Sequence, residues 1–82
     1  MTKKRGKILW VDDEIQHLKP HILFLEEKGY VLFQANNGQD AIELSKSHVF
    51  DLVLLDQSMP GMDGLKTLVE LKKIRKSQII IM

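Results

Sequence analysis

Three acidic positions in this chain stand where apolar runs stop. Asp12 and Asp13 follow Ile8-Leu9-Trp10-Val11, and Asp56 follows Leu52-Val53-Leu54-Leu55 with no turn residue between. Short continuous apolar runs are what the strands of a parallel sheet look like when both faces are covered. Ligands of open α/β sheets bind outside the carboxyl ends of the strands, so a carboxylate at each strand end is a site candidate. If the two strands are neighbours, Asp12, Asp13 and Asp56 converge on one rim. Carboxylates that close repel, and at least one is protonated unless a cation is present. All-oxygen ligation by few protein groups suits Mg²⁺, which keeps several waters and takes one or two carboxylates. Such an ion would offset the negative charge and bridge an incoming phosphoryl oxygen to the carboxylate that attacks phosphorus. Asp56 stands alone at its strand end, whereas Asp12 and Asp13 are adjacent and can share the metal. Asp56 is therefore the expected nucleophile, and an aspartyl phosphate the expected product.

The rest of the chain must position those groups. Ile8 to Val11 predicts strand one. Leu18, Ile22 and Leu25 recur at helical spacing up to Gly29, a natural residue just past a helix end, which predicts a helix of about four turns. Its start is placed near Gln16 or His17, with Pro20 in or just after the first turn, where a missing amide costs nothing. Tyr30 to Ala35 predicts strand two, and Asn36-Asn37-Gly38 a turn. A helix follows from Gln39 to Ser47 with Ala41, Ile42 and Leu44 as its apolar face. Strand three is Leu52 to Leu55, and the residues Gln57, Ser58, Met59, Pro60, Gly61, Met62, Asp63 and Gly64 read as a loop. Leu65, Leu68, Leu71 and Ile74 predict a third amphipathic helix, and Ile79 to Met82 a fourth strand. The order βαβαβαβ with short connections implies α/β architecture: an open parallel sheet, right-handed crossovers and helices on both faces.

Composition narrows the function classes. The chain has 82 residues, which allows one domain, with 44% hydrophobic and 28% charged residues, ordinary for a globular protein. A formal net charge of +1 gives no global electrostatic case for nucleic acid or an anionic membrane. Lys3, Lys4, Arg5 and Lys7 read as a solvated basic start. The absence of cysteine excludes disulfides, thiolate metal sites and cysteine nucleophiles. No apolar segment is long enough to span a bilayer and the start is not a signal peptide, so the expected location is cytoplasmic. Neither a G-x-G-x-x-G nor a P-loop pattern occurs, which removes the usual nucleotide-binding readings.

Each feature has a duller reading. An acidic pair after a strand often caps the next helix, and a lone aspartate at a strand end often makes an Asx-turn. At matching ends of two neighbouring strands the acidic residues favour a site over both. Asp63-Gly64 reads as turn chemistry at the entry to the third helix. His17 and His21 are spaced i, i+4 but lack a third ligand, so a solvated helix face is favoured. His48 has no partner in sequence, and Trp10 and the methionines read as core or rim packing.

With these residues assembled, the chain resembles the receiver domain of two-component response regulators. The acidic pair in ILWVDDE, the LVLLD strand and the MPGMDG loop carry the resemblance, which covers the whole chain. It implies a flavodoxin-like, CheY-like fold with strand order 2-1-3-4. It also implies a phospho-acceptor at Asp56 that takes a phosphoryl group from a histidine kinase and relays the state to an output domain, as a switch and not an enzyme. By position, Asp12 and Asp13 match the family's metal-binding pair, and Ser58 the residue whose backbone carbonyl reaches the Mg²⁺. Gln57 and Met59 flank that rim. Within the family, ILWVDDEIQHLKPHILFLEEKGY looks most like PorX-type regulators of type IX secretion, which pair a receiver with a PglZ-type output domain.

Receivers have five strands, and this chain stops at Met82, inside the fourth. The resemblance therefore implies a receiver fragment over residues 1–82 that lacks the switch Ser or Thr, the Lys after strand five, the switch aromatic and the last two helices. Weakened chemistry and no conformational relay are the corresponding expectations. Ile79 to Met82 would leave an unpaired apolar edge, which invites a homodimer or a swapped assembly. Two other classes stand beside the leading one. A non-switching receiver would serve only for docking or dimerisation. A haloacid-dehalogenase-type phosphohydrolase also uses a strand-end aspartate, but it needs a second Asp two residues later, where this chain has Ser58.

Overall fold

The computed structural model describes residues 5–56 and 64–82. Strand β1 (Gly6–Val11) leads through a 3₁₀ turn (Ile15–Leu18) into α1 (Lys19–Glu27). Then come β2 (Tyr30–Ala35), α2 (Gly38–Ser47), β3 (Leu52–Leu55), α3 (Gly64–Ile74) and β4 (Ile80–Ile81). The strands form one parallel sheet in the order β2-β1-β3-β4, which is the expected topology.

Side-chain alternation along the strands divides the sheet into two faces. Leu9 and Val11 of β1, Val53 and Leu55 of β3 and Ala35 of β2 point to one face. There they pack with Ala41 and Ile42 of α2, Leu71 of α3 and Phe50 into the main core. The opposite face carries Ile8 and Trp10, and α1 lies over it, with Ile22 buried and the His21 ring 6.5 Å from Trp10. Helices therefore cover both faces, though unequally. In β3, Val53 and Leu55 are buried whereas Leu52 and Leu54 are half-buried, so the apolar run is fully enclosed only on the α2/α3 side.

Three local expectations need correction. The helix expected to start near Gln16 or His17 starts at Lys19, and residues 15–18 form a 3₁₀ turn in which the His17 amide donates to the Glu14 carbonyl at 2.9 Å. Pro20, with no amide hydrogen, cannot donate to the Gln16 carbonyl, so the α-helical ladder has no bond to make there. The third helix buries Gly64, Thr67 and Leu71, while Leu65 is 67% exposed. Leu71 is buried and Leu68 and Ile74 pack against the core as expected, but the inward stripe also takes in Thr67, and Leu65 falls outside it. The fourth strand is two residues long, extended by one bond from the Val53 amide to the Ile79 carbonyl at 3.0 Å. Among the described residues no strand pairs with its outer side, where Ile79 and Ile81 are more than half exposed.

Gly29 ends α1 with a φ of +100°, the left-handed turn its position predicted. At the start of α2, Asn37 caps the helix: its side-chain oxygen accepts from the Asp40 amide at 2.8 Å, and its Nδ2 donates to the Asp40 carboxylate at 3.0 Å. At the end of α3, the Arg75 guanidinium donates to the Ser45 carbonyl at 2.9 Å and ties that helix to α2.

Candidate functional site

The pairing of β1 with β3 places the acidic residues. Val11 is opposite Leu55, so the next residue on each strand, Asp12 and Asp56, leaves the sheet at the same level. Each is fixed through its backbone. The Asp12 amide donates to the Ala35 carbonyl at 3.0 Å, and the Asp56 amide to the Val11 carbonyl at 2.9 Å. Both main chains are thus held at the rim by the sheet's own hydrogen bonds.

One carboxylate oxygen from each of Asp12, Asp13 and Asp56 lies within 4.8 Å of the other two. The convergence expected of these three residues is therefore present. Asp12 and Asp56 are half-buried and Asp13 is exposed. Asp12 also makes an Asx-turn, since its Oδ1 accepts from the Glu14 amide at 2.9 Å and its carbonyl from the Ile15 amide at 3.1 Å. Neither the 3₁₀ turn nor α1 has a side-chain cap, so the expected helix-capping role is not what Asp12 performs; it closes the turn that leaves β1 while standing at the rim. The hydrogen bond from Glu14 fixes the carboxylate's orientation toward the rim.

The electrostatics record the crowding. The Asp13 pKa is raised above the ordinary aspartate value, first by loss of solvation and then by the carboxylates of Asp56, Asp12 and Glu14. Although solvent reaches Asp13, the three neighbouring charges act in the same direction as desolvation. Glu14 was not among the candidate residues. The run Asp12-Asp13-Glu14 was the signal that a third charge would stand beside the pair.

The donor set fits a hard divalent cation. Carboxylates gathered on one rim supply oxygen ligands and negative charge, and the exposed side at Asp13 leaves room for the waters that Mg²⁺ keeps. Ser58, the fourth expected ligand, lies outside the described residues, as do Gln57, Met59 and Asp63. Among the described residues no histidine joins this group. His17 sits in the 3₁₀ turn, its Nδ1 3.9 Å from the Glu14 carboxylate, and His21 lies against Trp10. His48 packs with Phe33 at 4.6 Å between ring centroids and stands 6.0 Å from Phe50. Its place is in an aromatic cluster at the β2 edge, which the sequence pattern left without a role.

No helix among the described residues is long and apolar enough to cross a membrane. Residues 8–82 match the family described as response regulator receiver domain. The transcriptional regulatory protein ZraR of Klebsiella oxytoca is 43% identical over 77 residues, covering 94% of this chain and 17% of that protein. The chain thus spans about a sixth of that curated relative. Among solved structures, the response regulator TrrA of Thermotoga maritima in complex with Mg²⁺-BeF superposes with a TM-score of 0.83 at 39% identity. That alignment covers 93% of this chain and 66% of TrrA. TrrA in complex with the histidine kinase ThkA gives a TM-score of 0.81 at 39% identity, over 90% of this chain and 64% of that one. A four-stranded order of 2-1-3-4, acidic strand ends on one rim and a family match over residues 8–82 lead to one assignment: the chain belongs to the response regulator receiver domain family.

Proposed function

We propose that this chain is a phospho-acceptor module in which Asp56 receives a phosphoryl group from the phosphohistidine of a histidine kinase. The observation that carries this reading is the meeting of Asp12, Asp13 and Asp56 at the ends of two adjacent parallel strands in a receiver-family chain. Receiver domains are signalling modules and not enzymes, and the phosphohydrolase alternative is set aside with the family assignment.

In the proposed reaction an Asp56 carboxylate oxygen attacks phosphorus. The phosphorus–nitrogen bond of the donor breaks, its electron pair stays on the histidine, and Asp56 becomes an acyl phosphate. The backbone bond from Asp56 to Val11 holds the nucleophile at the rim, and Glu14, through its amide, holds Asp12. Asp12, Asp13, Asp56 and the Ser58 backbone carbonyl are the groups that would hold Mg²⁺. When bound, that ion would neutralise the carboxylates and stabilise the negative charge of the transferring phosphoryl group.

Residues 1–82 would serve as the receiver part of a regulator whose output domain takes up the phosphorylation state in the cytoplasm. The complex of ThkA with TrrA supports a histidine kinase as donor, and the Mg²⁺-BeF complex of TrrA supports the metal. The stretch from Ile8 to Tyr30 further supports a PorX-type regulator with a PglZ-type output domain. The test is intact-mass spectrometry after incubation with acetyl phosphate, which donates without a kinase. A single phosphoryl adduct that requires Mg²⁺ and is absent from Asp56→Asn is the expected result. An adduct that survives Asp56→Asn, or that forms equally in EDTA, overturns the assignment.

A further inference from the structure

On their solvent side α2 and α3 enclose a cleft of about 510 Å³, lined by Ile42 and Lys46 of α2 and by Leu65, Lys66, Val69 and Glu70 of α3. Leu65 and Val69 are 67% and 53% exposed although they are large apolar groups one turn apart. The same face carries a cation and an anion at the same spacing, Lys66 and Glu70. We propose that this face is a self-association surface, on which α3 of a second copy of this chain packs antiparallel to the first.

The pattern of side chains on α3 has an internal symmetry. A two-fold axis perpendicular to a helix brings early residues of one copy against late residues of the other, so an isologous contact needs a surface that matches its own reverse. An axis between Thr67 and Leu68 does this for α3. It sets Leu65 against the partner's Val69 and Lys66 against the partner's Glu70, and each contact occurs twice. Exact centring for the apolar pair and for the ionic pair differs by one residue, about 1.5 Å of helix rise, which a lysine side chain spans. A partner with a single-sign surface would leave one of these charges facing its like. The existing pairs Lys73 to Glu70 at 3.2 Å and Lys46 to Glu43 at 3.4 Å are exposed, and such pairs exchange partners at little cost. One helix pair covers less than a standard interface of about 1,600 Å², so the dimer is expected to be weak and concentration-dependent.

The surface involves none of Asp12, Asp13 or Asp56, so its test is run in EDTA without a phosphodonor and stands apart from the phosphorylation assay. Sedimentation equilibrium of the chain up to about 1 mM is expected to show a reversible monomer–dimer equilibrium. Lys66→Glu alone and Glu70→Lys alone each oppose like charges twice and are expected to weaken it by about tenfold or more. The double variant Lys66→Glu/Glu70→Lys restores opposite signs and is expected to return within about threefold of the original. All these positions lie on a solvent-facing cleft, so the core that folds the chain is untouched. A monomer throughout, a double variant that fails to recover, or an association abolished by Ile81→Lys at the outer edge of β4 but indifferent to both single reversals overturns the proposal.

Discussion

Gly6 and Asp51 occupy each other's space: a Cβ on Gly6 would stand 2.8 Å from the Asp51 carboxylate oxygen Oδ2. That oxygen accepts from the Lys7 amide at 2.7 Å, and the Asp51 amide donates to the Lys7 carbonyl at 2.9 Å. The start of β1 is thereby fastened to the start of β3, at the opposite end of the sheet from the acidic rim. Gly6 also has a φ of +152°, which a side chain disfavours. Gly6→Ala is expected to lose about 2 kcal/mol in urea denaturation, through the clash and the backbone together. Asp51→Ala is expected to lose about 1 kcal/mol with its hydrogen bond. The double variant should lose less than the sum, because removing the carboxylate clears the room the new Cβ needs.

The crowding at Asp13 has a pH signature. Its pKa is higher in the folded chain than its ordinary value of 3.8, so the folded state binds the proton more tightly than the unfolded state does. Stability from this group is fully present below that ordinary value and is lost as pH rises through the higher folded one. In EDTA, the thermal midpoint of the wild type should therefore fall relative to Asp13→Asn as pH is raised from about 4 toward 7. Adding Mg²⁺ at neutral pH should raise the wild-type midpoint more than that of the variant. A difference between the two proteins that stays constant with pH would remove the electrostatic account.

Asp12 carries two duties that different substitutions separate. Asn keeps an oxygen for the Glu14 amide but gives up the charge, whereas Ala gives up both. Asp12→Asn should fold with near wild-type stability, and Asp12→Ala should lose about 1 kcal/mol with its turn hydrogen bond. Both are expected to weaken Mg²⁺ by about tenfold or more, followed by titration calorimetry or through the fluorescence of Trp10, two residues away. Equal stability of the two variants would show that the bond to Glu14 contributes nothing.

Strand positions and the acidic rim were legible because each rests on one local property. β2 and β3 have their expected bounds, since β-branched and apolar runs flanked by turn residues leave little choice. The convergence of Asp12, Asp13 and Asp56 followed once βαβ connections made β1 and β3 neighbours. Helix faces were less legible. Periodicity alone put Leu65 inside α3, but the position that faces Leu71 one turn earlier is Thr67, which is fully buried. Leu68, Leu71 and Ile74 do pack on the core, so the phase was legible; the polar Thr67 inside the stripe and Leu65 outside it blurred its edge. The cap at Asn37 had a signal, an Asn three residues before Asp40, that a turn reading of Asn36-Asn37-Gly38 absorbed. The raised pKa of Asp13 comes first from lost solvation and then from Asp56 across the strands, neither of which a local pattern contains; Asp12 and Glu14, beside it in sequence, add to it.

Ser45 shows how a polar group inside such a stripe can be tested. It is 3% exposed on α2, and among the described residues its hydroxyl has no hydrogen-bond partner. Its carbonyl, which accepts from Arg75, belongs to the backbone and survives any substitution. Ser45→Ala removes a desolvated hydroxyl and installs the best helix former, while deleting only one small atom from the packing. The expected gain is about 0.5–1.5 kcal/mol, the sum of the propensity difference and the relieved desolvation. It should appear as a higher urea midpoint with an unchanged slope, because the surface exposed on unfolding is the same. A loss of stability would mean that the hydroxyl is bonded in solution, most simply to a carbonyl one turn back in α2, and that the polar residue is part of what holds α2 against α3.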